Sequence, residues 1–80
     1  MRAVVLLHPR QHLTSSRWPG IVMPFVADRE YALSSITNEW RTAGKLAAAG
    51  EVDVVVALTE PPLRLQLQLM VAGVRLEVLR

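Results

Sequence analysis

The chain contains no cysteine, which excludes a disulfide framework and a thiolate metal centre, two devices that commonly hold together domains too small for a large core. It has one lysine, Lys45, against eight arginines, so its positive charge sits almost wholly on planar guanidinium groups suited to bidentate contacts with carboxylate or phosphate. Histidine is sparse as well. His8 and His12 lie four apart, but Pro9 spoils the helix that would put both on one face, and no metal site is expected. Long apolar runs are missing: none approaches the roughly 20 residues of a membrane-spanning helix. The run behind Met1-Arg2 stops after five residues at His8-Pro9-Arg10, which is too short for an export signal. The expectation is a soluble, cytoplasmic chain with no membrane partner and no cofactor motif.

What is present is a strongly apolar composition on a short chain. Eighty residues with 51% hydrophobic side chains make one domain at the lower end of the usual size range, where folding buries only about 60–65% of the surface of the unfolded chain. With no covalent or metal staple, association with a partner is the remaining source of stability, and part of the apolar surface is expected to serve an interface. The formal charge of +2 is too small to identify a polyanionic partner.

Along the chain, Ala3 to Leu7 is a continuous apolar run of the kind found in strands buried on both faces. His8 to Gly20 is polar and broken by Pro9, Pro19 and Gly20, and reads as a long loop with at most one helical turn around Thr14 to Trp18. Ile21 to Ala27 is β-rich, and Pro24 assigns it to an edge strand. From Asp28, a plausible N-cap, the spacing of Leu33, Ile36, Trp40, Ala43 and Leu46 or Ala47 predicts one amphipathic helix ending at Gly50. Val52 to Leu58 is a second doubly buried strand. In the tail, Leu63, Leu65, Leu67 and Leu69 alternate with polar residues and Met70 as in a strand, whereas the absence of β-branching in this run and the Pro61-Pro62 start favour a helix; helix is preferred over a hairpin turning at Ala72-Gly73. Val74 to Leu79 closes the domain as a strand. The expected fold is α/β, a small mainly parallel sheet with element order β-β-α-β-α-β and the second strand, first, third and fourth side by side.

The opening Met1-Arg2-Ala3-Val4-Val5, the junction Ala49-Gly50-Glu51-Val52-Asp53-Val54-Val55-Val56 and the later Gly73-Val74-Arg75-Leu76 resemble the catalytic domain of serine recombinases, the resolvases and invertases, over residues 1–8 and 40–80. The resemblance implies a resolvase-like sheet in which residues 3–7 and 52–58 pair in parallel. It also implies a Y-x-R-x-S pattern after the first strand, supplying an arginine and the nucleophilic serine that attacks DNA. Here those positions hold Leu6, His8 and Arg10, and a guanidinium has no lone pair with which to attack. A second family signature, D-R-L-x-R, lines up with Glu60-Pro61-Pro62-Leu63-Arg64 after a one-residue deletion, so the phosphate-gripping first arginine has become Pro61. The family's long first helix is replaced, in this reading, by the loop from His8 to Gly20. A recombinase of normal mechanism is not expected, and Ser15 and Ser16 are the only candidates for a relocated nucleophile.

Two sets of candidate residues follow. Ligands of a parallel sheet collect at the carboxyl ends of its strands, which nominates His8, Arg10, Glu60 and Arg64 as a phosphate or anion site; the plainer reading is a solvated basic loop with one ion pair. Arg2, Arg10, Arg17 and the histidines, with Trp18 for stacking, are too few to define a DNA groove. Trp18 and Tyr31 flank loops and are candidate interface anchors. The doubly apolar tail helix offers Leu65 and Leu69 to a partner if its other face covers the sheet; burial of both faces within the chain is the alternative. The resulting expectation is a non-catalytic interaction module that forms a homodimer or joins a recombinase-like protein. A DNA-acting enzyme with a relocated nucleophile and a small anion or nucleotide binder are the alternatives.

Overall fold

A computed structural model describes residues 1–10 and 17–79. Seven elements alternate along it: β1 (Arg2–Leu6), α1 (Arg17–Asp28), β2 (Ala32–Thr37), α2 (Trp40–Ala48), β3 (Val54–Ala57), α3 (Leu63–Ala72) and β4 (Arg75–Val78). The four strands form one sheet in the order β2-β1-β3-β4, and every pairing is parallel. The expected α/β class and parallel sheet are therefore present. Residues 3–6 pair in parallel with residues 54–57.

β1 and β3 occupy the centre because they can be apolar on both faces. Val4, Leu6, Val55 and Ala57 point to one side, where they pack with Ala43 and Ala47 of α2 and Leu65 and Leu69 of α3. Ala3, Val5, Val54 and Val56 point to the other, beneath Trp18, Val22 and Val26 of α1. The result is three layers, with α1 alone on one face and α2 and α3 together on the other.

Two expectations about the first half are overturned. Residues 21–27 are not an edge strand but most of α1. The buried residues Trp18, Val22 and Val26 recur every fourth position, so the helical stripe begins ahead of the segment whose β-rich composition suggested a strand. Pro19 lies in the first turn, where its missing N–H would have no helical partner, and Pro24 lies on the exposed side. Residues 28–49 are likewise not one helix. Asp28 ends α1 rather than capping a new helix, residues 32–37 form β2, and only Trp40–Ala48 is helical. The register shifts between Ala3 and Val4. This β-bulge lets Leu33 and Ile36, three residues apart, both pack on the α1 side, where a regular strand would send them to opposite faces. The element order is thus β-α-β-α-β-α-β, and a helix stands between the first two strands where a loop was expected.

The second half follows expectation more closely. α2 ends at Gly50 with φ +71°, where Gly50 N–H donates to Ala47 O at 3.1 Å and Glu51 N–H to Leu46 O at 3.0 Å, the paired bonds of a Schellman ending. The tail is helical, as preferred, and turns at Gly73 in the same way, with Val74 N–H donating to Leu69 O at 2.9 Å. At the amino ends of the strands, Arg2 ties β1 to the α2–β3 loop. Its N–H donates to Asp53 Oδ2 at 2.9 Å and its guanidinium to Gly50 O at 2.7 Å. No helix among the described residues is long and apolar enough to cross a membrane.

Candidate functional site

The strand order places the topological switch of the sheet between β1 and β3, whose following connections run to opposite edges. In open parallel sheets this crevice is where ligands collect. His8 and Arg10 follow the end of β1 and Glu60 follows the end of β3, so all three lie at the carboxyl edge of the sheet, where the Leu58 N–H donates to Leu6 O at 3.1 Å and continues the pairing up to the loops. His8, Arg10 and Glu60 are exposed. The main-chain N–H of Arg10 donates to His8 Nδ1 at 3.1 Å, so a neutral His8 carries its proton on Nε2. Ser15 and Ser16, the proposed relocated nucleophiles, and His12 lie outside the described residues.

Arg64 does not converge with these groups. It stands one residue into α3 and lines the groove between α2 and α3 with Ala48, Leu67, Gln68, Val71 and Ala72. Pro61 is buried, and its carbonyl accepts a bond from Gln66 Nε2 at 2.8 Å that fixes the β3–α3 loop. At the β2 end, Thr37 Oγ1 accepts the Glu39 N–H at 3.1 Å. A shallow cavity of about 360 Å³ there is walled by Pro9, Asn38, Glu39, Trp40 and Arg41. The edge can offer imidazole and guanidinium donors to an anion. Among the described residues no group of three or more His, Cys, Asp or Glu side chains is placed to hold a metal ion.

The interface candidates are redistributed. Leu65 and Leu69 are fully buried against the sheet, at 0% and 1% exposure, and Trp18 is buried between α1 and the sheet, so none of the three is available to a partner. Tyr31 is half-buried; its hydroxyl donates to Glu77 Oε1 at 3.1 Å and its ring meets Phe25 edge-on, with centroids 6.4 Å apart. Beside the exposed Met1, Ile21 and Met23, the opposite face of α3 carries the largest group of exposed apolar side chains among the described residues. Leu63, Leu67, Met70 and Val71 are exposed by half or more, and Val71 reaches 90%. The two-sided distribution of apolar residues is legible, and the signal that chooses between the sides is Arg64, three residues before Leu67 and seven before Val71, whose charge turns that side outward.

The residue that sequence reasoning passed over is Glu77. It lies on β4 with its carboxylate turned to the α1 side, where Arg29 Nη1 and Arg75 Nη1 approach Oε1 at 3.7 and 3.9 Å alongside the Tyr31 hydroxyl. Oε2 is buried and has no hydrogen-bond partner, an unusual state for a buried acceptor. The alternation Val74-Arg75-Leu76-Glu77-Val78 was the available signal, since a strand of that pattern sends both charges to one face.

No protein family, curated protein or solved structure matches the chain.

Proposed function

We propose that this chain is a non-catalytic, resolvase-like interaction module that self-associates, with a recombinase-like protein as the alternative partner. The observation that carries the reading is the outer face of α3. Four large apolar side chains stand exposed on one helix of a domain whose size leaves little stability to spare, and contiguous apolar surface of this kind marks association sites. The parallel pairing of β1 with β3 supports the resolvase-like ancestry. The absence of catalysis is argued from residue chemistry: Leu6 at the first motif position is buried in the core, Arg10 stands at the serine position, and Pro61 replaces a phosphate ligand.

Sedimentation velocity from micromolar to several hundred micromolar protein tests this reading. The wild-type chain is expected to form a dimer, and a Met70→Glu, Val71→Glu double variant, altered only at exposed positions, to dissociate at least about ten-fold more readily with unchanged circular dichroism. A wild-type monomer at every concentration that also forms no complex with a serine-recombinase catalytic domain rejects it.

The common location of His8, Arg10 and Glu60 supports a second reading, an anion binder at the carboxyl edge. It requires that millimolar inorganic phosphate raise the thermal midpoint of the wild type and leave an Arg10→Ala variant unmoved; equal responses discard it.

A further inference from the structure

Resting on the self-association reading, we infer that the occupant of the open edge of β4 is β4 of a second copy, paired antiparallel about a two-fold axis through Leu76. β4 ends the sheet. Arg75 and Leu79 donate their N–H groups to Asp53 O and Ala57 O, so by strand alternation the main-chain groups of Leu76 and Val78 face away from β3. Such an edge is a template for another strand unless it is blocked.

Charge selects the register. With the axis at Leu76, its N–H and C=O exchange bonds with their own copies, Val78 N–H reaches the carbonyl of the partner's Val74, and Glu77 lies directly opposite the partner's Arg75. That last pair falls at a non-hydrogen-bonded position, where facing side chains approach most closely. It would set a second chain's guanidinium beside a carboxylate that Arg29 and Arg75 of its own chain already approach at 3.7 and 3.9 Å. Moving the axis one residue either way sets Glu77 against Glu77 or Arg75 against Arg75, both destabilising. Registers offset by half this step mismatch the pleat.

The helical layer agrees. α2 contacts β1 and β2 whereas α3 contacts β4, so α3 lies nearest the open edge. Gln68 closes over Gly44 of α2, where a Cβ would meet its amide oxygen at 2.5 Å, and Arg64, Leu67 and Val71 line the groove on that side. The helical period then turns Leu63 and Met70, exposed at 68% and 74%, to the flank above β4. The two-fold axis brings this flank against its own copy, which extends a contact that a four-residue strand alone would leave far below the roughly 800 Å² per partner of a stable interface.

Amide exchange and sedimentation on the full chain test the arrangement. The Leu76 and Val78 amides are expected to gain protection as concentration rises through the dimer transition. Arg75→Glu and Glu77→Arg are each expected to weaken the dimer about ten-fold or more, and the double exchange to restore it to within about three-fold of wild type. A dimer that leaves both amides freely exchanging, or a double exchange no better than the single variants, overturns the edge pairing while the module reading stands. A chain monomeric throughout removes self-association altogether, and this inference with it.

Discussion

Leu69 and Val71 stand two residues apart on α3, yet the first is 1% exposed and the second 90%. Truncating Leu69 to alanine opens a cavity against the sheet and is expected to cost about 2–5 kcal/mol. Val71→Ala, measured in dilute protein, should change stability by no more than about 0.5 kcal/mol. Urea denaturation of both variants checks which side of the helix is inside, and a reversal of the two effects would turn the helix over. Asp53 supplies a second residue-scale expectation. The main-chain N–H of Arg2 donates to its carboxylate and holds its pKa below the ordinary value, with desolvation opposing and the Arg2 charge assisting. A depressed folded-state pKa contributes stability that is present above the unfolded value of about 3.9 and is lost as pH falls through the folded one. An NMR titration of the Asp53 carboxyl carbon should therefore show a midpoint below the reference, and Asp53→Asn should reduce the loss of stability in that acid window. A midpoint at or above the reference would mean that the Arg2 bond does not persist in solution. At this scale the sequence was partly legible. The Leu65 and Leu69 stripe is a distinct face, and because the two faces are equally rich in leucine, only Arg64, on the side of Leu67 and Val71, tells which one meets the sheet.

Each helix of this fold ends in the same device, and one of the three is built from an unsuitable residue. Gly50 and Gly73 both take φ +71°. Glu30 occupies the equivalent place after α1 at φ 59°, with its N–H donating to Ala27 O and Tyr31 N–H to Val26 O. A non-glycine residue in the left-handed region is strained by about 1–2 kcal/mol, whereas glycine adds back about 0.4–1 kcal/mol of unfolded-chain entropy. Glu30→Gly should accordingly stabilise the fold by about 0.5–1 kcal/mol. Pro24 is the other anomaly of α1. Interior proline costs a helix about 3 kcal/mol, and removing it forfeits the entropic advantage of a stiff unfolded chain, so Pro24→Ala is expected to gain about 2 kcal/mol and raise the thermal midpoint by about 10 °C. A calorimetric midpoint that falls in either variant contradicts the assigned helix end or helix. These features also explain why α1 and β2 were misread. Pro24 and the β-rich Ile21, Val22, Phe25 and Val26 argue locally for an edge strand, and only tertiary burial of Trp18, Val22 and Val26 outweighs them. In β2, the bulge produces a three-residue spacing that imitates helical periodicity. In α3 the unbranched composition outweighed a strand-like alternation, and at Gly50 the glycine matched the left-handed helix ending.

The sheet as a whole was more legible than its parts, since only strands buried on both faces tolerate runs such as Ala3 to Leu7 and Val54 to Ala57, and such strands belong at the centre of a parallel sheet. The carboxyl-edge placement of His8, Arg10 and Glu60 follows from that topology alone. The fourth strand's place at the edge follows from the expected order too, but the setting of Glu77 does not, because Tyr31, Arg29 and Arg75 come from three separate parts of the chain to gather around its carboxylate. The same whole-molecule view ties stability to association. A domain this small leaves a narrow margin between burial and chain entropy, and anything that binds only the folded chain adds to that margin by mass action, about 2.7 kcal/mol when the free partner stands at 100 times its dissociation constant. If the partner is a second copy, the thermal midpoint must depend on protein concentration. Calorimetry over a hundred-fold concentration range that spans the dimer transition should show a rise of several degrees, at about 4–8 °C per kcal/mol for a chain of this length. The Met70→Glu, Val71→Glu variant should lose that dependence while keeping the midpoint of the dilute wild type. A midpoint independent of concentration in both proteins would mean that the exposed leucine, methionine and valine side chains of α3 stay in water, and that the small core sustains the fold unaided.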